Sequence, residues 1–167
     1  MVDIARDPRW GRIAEGFGED PYLTSQFAVA FVKGFQGKDL SESATIVACL
    51  KHYVAYDAAE GGRDYNTSEV SERTLRKIYL LPFEAGVKAG AGILMCAFNE
   101  ISGIPATGNR FTLIDILRGE WDFDGFVVAD FDAIVQLIPH GYAADEAQAA
   151  IVSTNAGVDR KWSVKLI

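Results

Sequence analysis

Asp130 closes the apolar run Phe126-Val127-Val128-Ala129, and Asp132 stands two positions later. A carboxylate on a short stem at the end of a rigid strand is held well enough to act as a nucleophile or a ligand. It is equally suited to accept the first amides of a following helix as a cap, and both readings stay open on the run alone. Other apolar runs are also followed by polar groups: Arg6, Asp7, Arg9 and Arg12 after residues 2–5, Lys51 and His52 after residues 45–50, and Asn99 and Glu100 after residues 92–98. A glycine-rich loop with Arg63 comes after the Lys51-His52 pair. These groups supply many donors for hydroxyls. They supply no phosphate cradle, because Glu15-Gly16-Phe17-Gly18-Glu19-Asp20 lacks the third glycine of GxGxxG and places carboxylates where a phosphate would be repelled. The sequence has no HExxH, no CxxC and no close histidine pair, His52 and His140 being far apart, so neither a metal nor another cofactor is expected. Without a GxSxG elbow, a serine hydrolase is disfavoured as well. A neutral, hydroxyl-rich ligand fits the donors best.

The elements that must position these groups alternate along the chain. Residues 45–50, 92–98 and 125–130 read as parallel strands covered on both faces, with residues 2–5 as a weaker fourth. Asp20 and Pro21 open a helix whose Leu23, Phe27, Phe31 and Phe35 recur at steps of four before Gly37. Ser71 caps a second, carrying Leu75, Ile78, Tyr79 and Val87, with a kink at Pro82. A third spans residues 111–118 and closes at Gly119, and a fourth spans residues 143–155. Strand-helix alternation of this kind implies right-handed βαβ units and an α/β fold whose ligand site lies at the carboxyl ends of the strands. About four to five βα units make either a small open sheet or part of a (β/α)8 TIM-like barrel, which takes about 250 residues when complete.

With 167 residues, 49% of them hydrophobic, the chain is expected to form one unit with a sizeable core. A net charge of −7 without any long basic run argues against nucleic acid as a partner. No apolar stretch is long enough to span a membrane, and the N-terminus lacks the layout of a leader. As written the chain is expected in the cytoplasm, and a leader upstream would make it periplasmic or secreted. Cys49 and Cys96 both sit in apolar runs and are expected as buried thiols.

Four motifs then become specific together: residues 3–12 (DIARDPRWGR), 18–21 (GEDP), 51–53 (KHY) and 125–130 (GFVVAD), with 117–121 (LRGEW) ahead of the last. In order and spacing they resemble glycoside hydrolase family 3. The resemblance covers residues 1–159 and implies a (β/α)8-like barrel and a retaining β-glycosidase that removes single sugars from non-reducing ends. Asp130 then holds the nucleophile position. Arg12, Lys51, His52 and Arg63 match positions that bind hydroxyls of the sugar beside the scissile bond, and Met95 lines that subsite. Phe98 and Phe131 stand where Tyr and Trp are common in the family, and Phe131 keeps an aromatic face for the sugar.

The resemblance also implies that the chain is a piece, residues 1–167, of the family's catalytic domain, beginning within the third strand and departing from the seventh-strand motif after Asp159. The general acid/base is then expected from elsewhere, since Asp57, Glu60 and Glu100 have no motif support and read as solvated loop residues. The expected ligand is a β-linked gluco-oligosaccharide or an aryl β-glucoside. A rival expectation is an inactive or merely sugar-binding chain. Unpaired strand edges imply self-association.

Overall fold

The computed structural model describes residues 1–162. Its centre is a parallel sheet of β1 (Cys49–Tyr53), β3 (Ile93–Cys96) and β6 (Phe126–Val128), in the order β1-β3-β6. Register places Cys49, Ile93 and Phe126 side by side, then Leu50, Leu94 and Val127. Two further lines of chain run beside this sheet without forming regular strands. Residues 2–5 are buried, and Val2 N donates to Lys51 O at 2.8 Å. At the other edge Ala129 N donates to Arg160 O at 2.8 Å, and Val128 forms a lone parallel bridge with Arg160. The α/β class and the βα repeat expected from sequence are therefore present.

The strands differ from expectation in a way that matters for the site. Residues 45–48 are outside any strand, so β1 is shifted to contain Lys51 and His52, and Asp130 lies two residues beyond β6 rather than on its last position. The sheet is also covered on one face only. Leu50, Leu94, Cys96 and Val127 are buried, whereas Cys49, Ile93, Met95, Phe126 and Val128 on the alternate face retain solvent exposure. A run of apolar residues looks the same whether one or both faces are covered, so composition read this as two-sided burial. Cys49 is consequently exposed, contrary to expectation, and only Cys96 is a buried thiol.

Helix α1 (Pro21–Gln36) starts as expected, with Asp20 Oδ1 accepting from Leu23 N at 2.8 Å. Its buried residues are the small ones, Thr24, Ser25, Ala28 and Val32. Phe27, Phe31 and Phe35 remain exposed, at 39%, 46% and 44%, and Phe17 stacks on Phe27 with ring centroids 4.4 Å apart. The stripe at steps of four is real, but it is not the face that meets the core. The second helix is three pieces: α2 (Glu72–Thr74), a π-helical turn (Leu75–Tyr79) and α3 (Leu81–Lys88). The break falls ahead of Pro82, whose ring cannot accommodate a regular i−4 bond. Gly86 lets α3 lie on β1, because a Cβ there would sit 2.5 Å from the Leu50 side chain.

The third helix, Phe111–Glu120, is π-helical and runs past Gly119 rather than ending there. Arg118 fastens its end to β6: Nη1 donates to Phe123 O at 2.9 Å and Nη2 pairs with Asp159 Oδ2 at 2.7 Å, the same oxygen that accepts from Val127 N. Helix α4 (Glu146–Ala156) begins at its Asp145 cap, later than expected, and ends at Gly157 with φ 106°.

Sequence reading did not foresee a second small sheet. In it β2 (Thr67–Ser68) runs parallel to β4 (Glu100–Ile101), which pairs antiparallel with β5 (Ile104–Pro105). These short strands join the loop after β1 to the loop after β3. Buried Asn99 Nδ2 reinforces the join by donating to Ala55 O at 3.1 Å and Ser68 Oγ at 3.0 Å.

Candidate active site

Asp130 is 6% exposed at the carboxyl end of β6. Its Oδ1 accepts from Phe131 N at 2.6 Å within a turn, not at the start of a helix, so the expected cap is not formed and that local bond leaves the other oxygen free to face the site. Oδ2 faces His52, lying 3.3 Å from Nε2. His52 is fully buried, and on its far side Asp3 Oδ2 accepts from the His52 backbone N at 3.1 Å and lies 3.1 Å from ring Nδ1. Asp3, His52 and Asp130 thus form a row in which an imidazole stands between two carboxylates. Asp3 was missed from sequence. Its signals were a charged residue within an otherwise apolar run, Val2-Ile4-Ala5, and its place as the first residue of the motif at 3–12, to which no role was given.

The loop after residues 2–5 folds against the loop after β1. Trp10 is buried, its Nε1 donates to Asp64 Oδ1 at 3.0 Å, and its ring meets Tyr56 edge-on at 5.5 Å. Gly62, at φ 68°, permits this approach: a Cβ there would lie 2.6 Å from Trp10 N. Tyr56 also stands edge-on to His52, at 5.1 Å, and contacts Phe98, which in turn packs on Tyr65 at 4.6 Å. Tyr56 and Tyr65 are further members of this wall that lie outside the motifs, and Trp10 lies within the motif at 3–12 without having been given a role.

The expected donors reach the region unequally. Arg12 is bidentate to Glu15, at 2.7 and 2.9 Å, and its guanidinium lies 5.6 Å from the Tyr56 ring centroid. Those bonds, and the Arg12 charge, hold the Glu15 carboxyl below the usual carboxylate range. Arg12 and His52 both face the Tyr56 ring, and Lys51 is adjacent to His52 on β1. Arg63 is exposed, and its Nε donates to Glu60 O at 3.3 Å. Met95 is partly buried and pairs in register with Val128. Phe98 is buried, whereas Phe131 is 44% exposed and meets Trp162 edge-on.

The three loop carboxylates are placed elsewhere. Glu60 is exposed as expected, and Glu100 accepts from Thr67 Oγ1. Asp57 corrects the expectation of a solvated loop residue: it is 1% exposed, in a short 3-10 turn, Tyr56–Ala58, that is folded into the core rather than extended into water. Among the described residues no group of three His, Cys, Asp or Glu side chains is arranged to hold a metal ion.

The model of the glycosyl hydrolase family 3 N-terminal domain matches residues 1–164. A periplasmic beta-glucosidase of Salmonella typhimurium is 48% identical over 159 residues, covering 95% of this chain and 21% of its own length. A beta-xylosidase of Formosa agariphila is 43% identical, covering 93% and 22%. The crystal structure of a beta-glucosidase from Listeria innocua in complex with glucose superposes with a TM-score of 0.95 at 45% identity, over 99% of this chain and 23% of that one. The chain therefore spans about a fifth of the length of the curated relatives it matches.

Proposed function

Because the chain belongs to glycosyl hydrolase family 3, through that family's N-terminal TIM-barrel-like domain, we propose that it carries the nucleophile of a retaining β-glycosidase. The type is a β-glucosidase acting on terminal non-reducing β-D-glucosyl residues. One observation carries the reading: Asp130, buried at the end of a parallel strand, turns one oxygen toward its own loop and the other toward His52. In this mechanism Asp130 attacks the anomeric carbon and forms a glycosyl ester, an acid protonates the departing oxygen, and water then cleaves the ester. Arg12, Lys51, His52 and Arg63 hold the sugar hydroxyls, and Met95, Phe98 and Phe131 supply the apolar walls. A β-linked gluco-oligosaccharide or an aryl β-glucoside is the proposed ligand. The name of the Salmonella relative supports a periplasmic or secreted location.

The acid/base is assigned to none of Asp57, Glu60 and Glu100, given their burial, exposure and engagement. That placement favours a second reading, in which the chain by itself binds sugar without turning it over. Calorimetry and assay separate the two. Glucose is expected to bind, and a deoxy analogue lacking one partnered hydroxyl is expected to bind several-fold more weakly, since an unpaired buried donor costs about 1–3 kcal/mol. Nitrophenyl β-glucoside and β-xyloside, compared with cellobiose, then show whether an activated leaving group is needed. Binding without turnover supports the second reading, and failure to bind either sugar refutes both.

Self-association is part of the same proposal. It is supported by the exposed row of Phe27, Phe31 and Phe35 beside exposed Ile46 and Val47. Sedimentation of the purified chain is expected to give dimers or larger species, and a monomer across the concentration range would overturn it.

A further inference from the structure

We propose that Asp3 is a positioning residue that holds the Nδ1 proton of His52 and thereby fixes which edge of the imidazole meets Asp130. One oxygen, Asp3 Oδ2, grips His52 twice, accepting from its backbone N and lying at the same 3.1 Å from Nδ1. Asp3 is 2% exposed and His52 fully buried, so water does not compete for either contact. A carboxylate offers only lone pairs, so the bond to the ring exists only when Nδ1 carries hydrogen. The tautomer of a histidine is set by what its other nitrogen meets, and here that partner is built into residues 2–5, forty-nine positions away in the chain.

The consequence falls on the other edge of the ring. Nε2 is buried, 3.3 Å from Asp130 Oδ2, and off the axis of a hydrogen bond. With its proton on Nδ1, a neutral His52 has none to donate to Asp130, and Oδ2 keeps its lone pairs. Were Asp3 absent, nothing would hold the proton on Nδ1, and the neutral ring could carry it on Nε2, beside the Asp130 oxygen proposed as nucleophile. Tyr56, edge-on at 5.1 Å, and the β1 backbone keep the ring from rotating away. Asp57 is also buried, and burial first, then the Asp3 charge, push its carboxyl well above the ordinary range. The inference rests on the reading of Asp130 as the reacting carboxylate, but its structural content does not.

The test is a two-bond proton–nitrogen correlation spectrum of the chain labelled with 15N at histidine. The chain has two histidines, and His140→Gln assigns the spectrum. The expected result is a protonated Nδ1 on His52 in the parent and loss of that proton, with transfer to Nε2, in Asp3→Ala. Asp57→Asn, which keeps the size of the side chain and leaves Asp3 in place, is expected to leave the His52 pattern unchanged. A parent in which Nε2 alone is protonated overturns the proposal, even if Asp3→Ala fails to fold. So does an Asp57→Asn spectrum altered as much as that of Asp3→Ala. The measurement needs no sugar and no turnover, so a failure of the glycosidase reading leaves its outcome intact, and the reverse also holds.

Discussion

Asp130→Asn is expected to abolish covalent labelling by a 2-fluoro glycoside with a good leaving group, while product binding is retained. The amide keeps the shape of the carboxylate, and its carbonyl still accepts from Phe131 N, as Oδ1 does at 2.6 Å in the parent. It has no charge with which to attack carbon, so the ester cannot form. Any turnover the chain supports should fall on the order of 10⁴-fold or more, the scale reached when a residue that bonds covalently to substrate is removed. Mass spectrometry of a peptic digest after labelling locates the adduct. Labelling at a different carboxylate, or labelling that survives the substitution, would remove Asp130 from the nucleophile position. Product affinity is the control, because a variant that had lost the site altogether would lose both.

Asp57→Asn is expected to stabilise the chain at neutral pH, and by an amount that depends on pH. Asp57 is 1% exposed and neither carboxyl oxygen has a hydrogen-bond partner among the described residues. Burial first, and the charge of Asp3 second, push its carboxyl well above the ordinary range. In the unfolded chain an aspartate loses its proton near pH 4. Above that pH the folded chain binds a proton that the unfolded chain has released, so stability falls as pH rises from about 4 toward the folded value. Asparagine carries no such liability. The variant should therefore melt higher than the parent at pH 7, with the midpoint rising about 2–4 °C for each kcal/mol recovered. Toward pH 4, where the unfolded chain takes the proton back up, the difference should shrink. Thermal denaturation from pH 4 to pH 8 measures it, and a difference that stays constant across that range would show that Asp57 does not titrate as described.

What could be read from sequence was chemistry that acts over a few residues. Asp20 ahead of Pro21, Ser71 ahead of Glu72, and Gly37 after Gln36 each mark a helix end through a cap or a glycine at positive φ, and the structure has all three. The alternation of apolar runs with helical stretches established the α/β class, and the spaced motifs established the family, because both are patterns along the chain. Pro82 announced a break, and the structure makes it a π-helical turn ahead of the proline, Leu75–Tyr79, with Leu75 and Tyr79 buried.

Tertiary structure alone decided what covers each side chain. Phe27, Phe31 and Phe35 have the spacing of a core stripe, yet the small face of Ala28 and Val32 is the one buried. Cys49 and Leu50 are neighbours in one apolar run, but the pleat sends one toward solvent and the other under α3. Asp57 looked like a loop residue for water and is enclosed, while Asp3 looked incidental and grips His52. Periodicity fixes which residues share a face, since that follows from bond geometry. Which face is covered, and which carboxylate meets which imidazole, depends on segments dozens of residues apart being brought together.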